Sequence, residues 1–460
     1  MGRSGLLLHP DFLHTTAWSL FQTLGRMINL QEIRAESKFK NALLGFQHLL
    51  TMYSGDVIVP LLIGTALHFS AADMTYLIST DIFMCGIATL LQLKRTPLTG
   101  IALPVVLGCA VQYIAPLKAI GSQFGIGAMY GSVIGAGIFI FLIAGWFAKL
   151  RRFFPPVVTG SLITVIGFSL IPVAVQDIGG NDPTAANFGN GTHLLIGLAT
   201  LLVIILLNAY AKGFFKAISV LVGMLVGTLI AGSMGLVSLS AIGQASWFRL
   251  PIPFYFGAPH FEWSSIVTVS LVALTTMVES TGVFFALGDI VGRKINSDDL
   301  KRGYRSEGLA AILGGIFNTF PYSTFSENVG VVQISGIKSR KPIYYSAFFL
   351  LLLGLLPKAA ALVLIMPDYV LGGAMIAMFG LVGVQGIRVL QKVDFNDNDN
   401  LLIVAISVGL GLGITFYPQI LNSLPDSIKI ILDNGVVISS LSAVLLNVIF
   451  NFKKPHQQID

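Results

Sequence analysis

Glu279 stands in the run T-T-M-V-E-S-T-G-V-F-F-A-L-G-D, with apolar residues on both sides and no lysine or arginine in the span to pair with it. A carboxylate at the centre of a membrane helix costs on the order of 2.5–3.5 kcal/mol, so each one is a site candidate. A desolvated acid without a basic partner is suited to taking up and releasing a proton. Glu327 and Asn328 form a second polar pair inside apolar sequence, where the carboxylate can act as an anion or as a hydrogen-bond acceptor. His48 lies in G-F-Q-H-L-L-T-M-Y-S-G; a neutral histidine bridging helices and a substrate or proton contact are both open. Asp56 falls within about 80° of His48 around a helix, which leaves their pairing open. Glu307 stands beside Arg305 where another apolar stretch begins, and an interfacial position and a transport role are both open there.

The backbone that must present Glu327 is unusual. Between Gly314 and Pro342, apolar sequence enters from both sides, yet the middle holds Pro321 and a run of hydroxyls. Pro321 has no N–H to donate and disfavours helical geometry at Phe320. Tyr322, Ser323, Thr324 and Phe325 favour extended backbone. Ser326 is placed to cap a new helix, with Glu327 in its first turn, where the dipole favours an anion. The segment is thus predicted to be a short extended piece followed by a half-helix, rather than an ordinary proline-kinked helix. Irregular backbone at membrane depth survives only where protein or a watery cavity satisfies it, and transporters hold substrate at such discontinuous spans.

Composition sets the context. Apolar residues are 54% of the 460 and charged ones only 11%, against roughly 25% charged in soluble domains. The reading is an integral membrane protein. Candidate spans are 42–66, 74–93, 99–118, 123–147, 155–176, 193–210, 215–238, 264–288, 305–319, 320–337, 342–365, 369–390, 400–418 and 430–452, the ninth and tenth forming a packed pair. With the N-terminus in the cytoplasm, all of the 28 basic residues except Lys118, Arg249, Lys358 and Lys429 fall in cytoplasmic segments. A missed or extra span would invert every later loop and destroy that bias. The net charge of +6 is explained by these loops and needs no nucleic acid. Cys85 and Cys109 lie in apolar spans and imply no disulfide framework. Trp18, Leu20 and Phe21 suit an interfacial helix, while a start at Met27 is equally compatible with the sequence.

The halves of the chain echo each other. Span five begins at Pro155 with P-P-V-V-T-G-S, and span twelve at Pro367 with P-D-Y-V-L-G-G. Span three carries Pro104, span ten Pro321, and spans one and eight share the steps Thr51-Met52 and Thr276-Met277. Seven spans is an odd number, so the second copy enters from the opposite face. The expected fold is all-α and membrane-spanning, about fourteen spans as seven-plus-seven inverted repeats, with spans three and ten each broken into a short extended strand and a half-helix. The site is expected near midplane between them. Gly127, Gly131 and Gly135 are read as a packing stripe. Asp394 to Asn400 lacks the glycine and terminal glutamate of a calcium loop and is read as a solvated loop, so no metal is expected. No phosphate loop with its lysine and no nucleophile with a base occurs, so neither an enzyme nor a cofactor is expected. A passive channel is the reading from another class.

S-E-N-V-G-V-V-Q-I-S-G, from Ser326 to Gly336, resembles the signature of the nucleobase–ascorbate transporter family. Q-H-L-L-T-M-Y-S-G-D-V-I-V-P-L, L-P-V-V-L-G-C, F-P-P-V-V-T-G-S, Y-R-S-E-G-L-A and G-G-I-F-N-T-F-P are similar to its bacterial xanthine permease branch, and only the first 40 or so residues and the tail fall outside. The resemblance implies a core domain of 41–150 and 264–365 (spans one to four and eight to eleven). It also implies a gate domain of 151–263 and 366–452 (spans five to seven and twelve to fourteen). Residues 1–40 and 453–460 are then cytoplasmic ends. It further implies a homodimer in the plasma membrane, with the core moving against the gate like an elevator. Substrate is expected between spans three and ten, held by Glu279, by the signature pair Glu327 and Asn328 with Phe325 and Ser326, and by backbone near Cys109 and Ala110. Glu279, His48 and Glu307 are expected to serve proton coupling, and Gly330 matches a further family position. Two departures bear on the ligand. Glu327 replaces the glutamine usual in xanthine and urate carriers, as in uracil carriers, and Val283 replaces an acid of some relatives. The expected activity is proton-coupled import of xanthine or a related oxidised purine, with a uracil–proton symporter of the same fold as the alternative.

Overall fold

The computed structural model describes residues 38–148, 155–336, 338–425, 429 and 432–451, with the side chains of Glu327 and Ile334 outside that description. The expectations for residues 1–37, including the helix at Trp18 to Phe21, and for the tail from 453 lie outside the described residues. The first repeat runs through α1 (Lys38–Asp56), α2 (Ile58–Ala66), α3 (Ala71–Leu93), β1 (Leu107–Cys109), α4 (Ile114–Phe124), α5 (Ile126–Phe147), α6 (Pro156–Ser169), α7 (Ile171–Gly179), α8 (Gly191–Tyr210), the short α9 (Phe214–Ala217) and α10 (Ser219–Ser233). After a short α11 (Ser240–Gln244) the second begins: α12 (Trp263–Val291), α13 (Ser297–Ile316), β2 (Tyr322–Thr324), α14 (Glu327–Ser335), α15 (Lys341–Gly354), α16 (Pro357–Leu364), α17 (Asp368–Leu390), α18 (Asn398–Phe416) and α19 (Gly435–Asn451). Paired where a break divides one span, these elements make the fourteen spans of an inverted seven-plus-seven repeat. Spans five and twelve both begin at a proline N-cap, Pro155 and Pro367.

Several spans depart from the expected boundaries for local reasons. Span one is two helices because Pro60 has no N–H to return to the Asp56 carbonyl, and the break falls at Val57. Span eleven bends by 82° between α15 and α16, at Pro357. Span nine starts at Ser297 instead of residue 305, because Asn296 and Asp299 form a capping box that satisfies the first orphan N–H groups. Asp299 also pairs with Arg95 at 2.9 Å and with Arg293 at 2.5 Å. This earlier start changes the place of Glu307. It lies inside α13, 2% exposed, and not at an interface beside Arg305.

Two groups of helices pack mainly within themselves. In one, α13 and α12 lie on α5, and α15 lies on α1 and α3; in the other, α17 lies on α6, α7 and α8, with α18 and α19 against α6. The glycine stripe on α5 is a close approach. A Cβ on Gly131 would come within 2.0 Å of the His260 carbonyl oxygen. The loop at Asp394 ends in a helix cap, with the Asp397 side chain accepting from the Asp399 N–H at 3.1 Å.

Counting spans places residues 292–296 and 180–190 at opposite ends of the bundle. Single cysteines at Lys294 and Asn187 are therefore expected to label from opposite sides, the first from the cytoplasm. Cys85 and Cys109 are buried and give little background. Labelling of both positions from one side would end the fourteen-span topology.

Candidate functional site

The two broken spans meet as predicted. Strands β1 and β2 pair antiparallel, Leu107 opposite Thr324, Gly108 opposite Ser323 and Cys109 opposite Tyr322. The ladder extends at both ends, with Ala110 N–H donating to the Pro321 carbonyl at 3.2 Å and Phe325 N–H to the Val106 carbonyl at 3.0 Å. Each half-span thus satisfies backbone that its own helix cannot. Beyond the strands, the half-helices α4 and α14 begin close to the crossing, and their N-terminal ends favour acceptor or anionic groups. Ser326 does not cap α14 as expected: its backbone is itself helical and its side chain accepts no helix N–H.

A cavity opens where the strands end. Cys109, Ala110 and Gln112 form one wall, Ser323, Thr324, Phe325 and Ser326 another, and Glu279 of α12 enters between them. Gly55 of α1 completes that side, and Met378, Phe379 and Val382 of α17 close the opposite one. Gln112 Nε2 donates to Glu279 Oε2. Around Glu279, Tyr113 and Thr276 share a hydrogen bond of 3.2 Å, and the Thr324 hydroxyl donates to the Ser280 hydroxyl at 3.0 Å.

Five of the expected residues, Glu279, Cys109, Ala110, Phe325 and Ser326, therefore lie together on this wall. The Cys109 N–H is already donated to Asp56 at 2.6 Å, and the Ala110 N–H to Pro321. The backbone N–H groups of these two residues are thus already engaged within the protein. Asn328, His48 and Glu307 lie behind the wall, each at most 2% exposed. Asn328 adjoins His48, yet among the described residues both its amide atoms and His48 Nδ1 find no partner in hydrogen-bond geometry. The open pairing of His48 with Asp56 is not made; Asp56 turns to Cys109 and Cys85 instead. Glu307 faces Ser280 and the Thr324 backbone, directly behind Glu279. Glu327 opens α14 beside Ser326, and its side chain lies outside the described residues.

Sequence reasoning missed Gln112. A signal existed, because Gln112 stands three residues past the end of β1, as Glu327 stands three past the end of β2. The inverted repeat makes the two positions counterparts. Met378, Phe379 and Val382 carry no such signal, being apolar residues in an apolar helix.

A membrane bundle in which two broken spans cross is a fold that solved transporter structures share. The chain superimposes on the transmembrane domain of the cyanobacterial bicarbonate transporter BicA with a TM-score of 0.56 at 15% identity, covering 90% of this chain and 98% of that one. For the murine anion transporter Slc26a9 in its inward-facing state the TM-score is 0.59 at 13% identity, covering 98% and 73%. Residues 39–420 match the model of a family described as "Permease family". The chain belongs to this family, that of the nucleobase–ascorbate transporters, and is a membrane transport protein, not an enzyme. It is 52% identical over 420 residues to "Nucleobase transporter PlUacP" of Paenibacillus larvae subsp. larvae, covering 91% of this chain and 96% of that one. It is 48% identical to "Xanthine permease" of Bacillus subtilis over 425 residues (92% and 97%). "Uric acid permease PucK" of the same organism is 49% identical over 414 residues (90% and 96%).

Gln112→Leu removes the amide beside Glu279 while keeping the bulk. Nucleobase binding should weaken about 5- to 150-fold, the range for an unpaired buried polar group. Unchanged affinity at normal membrane abundance would place Gln112 outside the site.

Proposed function

We propose that the chain is a proton-coupled nucleobase symporter of the plasma membrane, with both termini cytoplasmic, that imports xanthine or a related oxidised purine. The observation that carries this reading is the convergence of the Glu279 carboxylate and the Gln112 amide on the cavity where the two broken spans cross. Xanthine is planar and presents adjacent N–H donors and carbonyl acceptors. A carboxylate accepts from N–H groups, an amide side chain both donates and accepts, and the half-helix ends favour a carbonyl oxygen. The names of the two Bacillus subtilis relatives support the purine class over uracil.

Alternating access in this proposal is elevator-like, the core (41–150 and 264–365) moving against the gate (151–263 and 366–452) within a homodimer. Support comes from the two packing groups and from the cavity itself, whose floor and ligand-facing carboxylate belong to one group and whose lid, Met378, Phe379 and Val382, belongs to the other. The space between is only about 40 Å³, room for a water or two rather than a base. Phe325 or the α17 lid must withdraw to admit substrate. That requirement suits a carrier better than an open channel.

Uptake of labelled xanthine against its gradient should collapse with a protonophore and compete more strongly with unlabelled urate, guanine or hypoxanthine than with uracil. Accumulation that survives the protonophore would remove proton coupling, and dominant competition by uracil would favour the uracil carrier. Glu279→Gln keeps the shape but cannot exchange a proton. It should abolish accumulation, while binding or exchange survives where the amide still reaches the base. Wild-type, pH-dependent accumulation in this variant would take Glu279 out of the mechanism.

Glu327 at the start of α14 tests selectivity. An ionised carboxylate offers only acceptors, and a glutamine offers a donor and an acceptor. Glu327→Gln should keep xanthine transport, reorder the competing bases and flatten the acid end of the pH profile. Superimposable competition curves and pH profiles would mean that this position does not read the base.

A further inference from the structure

Behind the ligand wall lies a polar cluster that the proposed transport chemistry does not use. Asp56, at the end of α1, and Asp81, in the middle of α3, are both fully buried. Their carboxylate oxygens and the Cys85 sulfur lie within 4.8 Å of one another. Asp56 accepts the Cys109 backbone N–H at 2.6 Å and the Cys85 thiol at 3.3 Å. Asp81 accepts the Cys109 thiol at 3.0 Å and the Tyr322 hydroxyl at 2.8 Å. Cys109 and Tyr322 are cross-strand partners in the β1–β2 ladder. The two acids therefore grip both strands at one cross-strand pair, of which Cys109 lines the cavity. The titratable groups that face them are Tyr53, Cys85, Cys109, Tyr130 and Tyr322, and no lysine or arginine among the described residues contributes.

Donors from N–H, S–H and O–H groups already fill this cluster, so it has no need of a metal ion. They do not neutralise two negative charges. Carboxylates this close in a desolvated site do not both ionise; they share a proton. Gly108, the next strand residue, is closely covered. A Cβ there would meet both Asp56 Oδ1 at 2.9 Å and the Phe325 ring at 3.0 Å. The carboxylate and a ring of the ligand cavity thus close on the same glycine, so a movement of Asp56 reaches Phe325 through one residue.

We propose that Asp56 and Asp81 are positioning residues for the ligand cavity, a pair that shares one proton and sets the depth of both strands from behind. Loss of the shared proton makes the pair repel and loosens the crossing, which weakens ligand binding without either acid touching the ligand. This rests on reading the cavity as the substrate site, so one arm of the test uses no ligand. In infrared difference spectra of the ligand-free, purified full-length protein, wild type minus Asp81→Asn should show a carboxylic-acid C=O band. Absence of that band overturns proton sharing.

In the binding arm, xanthine affinity is taken as the ratio of variant to wild type at each pH, so that titration of the ligand cancels. Asp81→Asn, whose amide can donate in place of the shared proton, should gain on wild type as pH rises. Tyr322→Phe removes only one hydroxyl donor and should weaken xanthine binding about tenfold. It carries the test on positioning if Asp81→Asn fails to fold. A pH-independent ratio for Asp81→Asn, or wild-type affinity in Tyr322→Phe, overturns the positioning role. If wild type binds no xanthine, the substrate reading fails, and the infrared arm still decides the pair.

Discussion

The structure depends on one constraint: backbone N–H and C=O groups cannot be left unpaired in the middle of a membrane. Spans three and ten both break there, and neither could do so alone. Their extended pieces pair with each other, from Ala110 against Pro321 to Phe325 against Val106. The crossing brings two half-helix N-termini and the residues after each strand to one place. It also leaves the site dependent on strand geometry, because Cys109, Ala110, Ser323 and Thr324 are ladder residues and cavity wall at once.

Around this crossing the polar residues form layers. Glu279 and Gln112 reach the cavity. Ser280, Thr324 and Glu307 stand behind Glu279. Asn328 and His48 adjoin each other behind the other wall. Such groups are costly at membrane depth, and these gather around the crossing. The rest of the interior is closed by apolar packing and by glycine approaches such as Gly131 against His260. A largely apolar surround with a polar seam at the crossing suits a carrier, because other solutes are then kept from passing.

Much of this was legible in the sequence, and the reasons are specific. Pro321 followed by Tyr322 to Phe325 spelled out the broken span, because a missing N–H and β-favouring residues act locally. The odd number of spans implied the inversion. Glu279 stood out because no basic residue shared its span. What stayed hidden depended on contacts between distant elements. The early start of α13 needed Asn296 and Asp299 to be recognised as a capping box within a charged run that looked like loop. Ser326 looked like a cap, but its own backbone is already helical. Asp56 pointed to His48 by helical spacing alone, whereas the β1 strand supplies a stronger donor in the Cys109 N–H. Gln112 could have been found by carrying the repeat through to side chains; the apolar lid on α17 could not.

The central claim is that a base bound at this crossing moves with a proton taken up through Glu279. Purified protein in liposomes loaded with a pH indicator tests it most directly. On addition of xanthine outside, with no imposed pH gradient, the lumen should acidify with wild type and stay unchanged with Glu279→Gln. Xanthine entry without acidification by the wild-type protein would contradict the account.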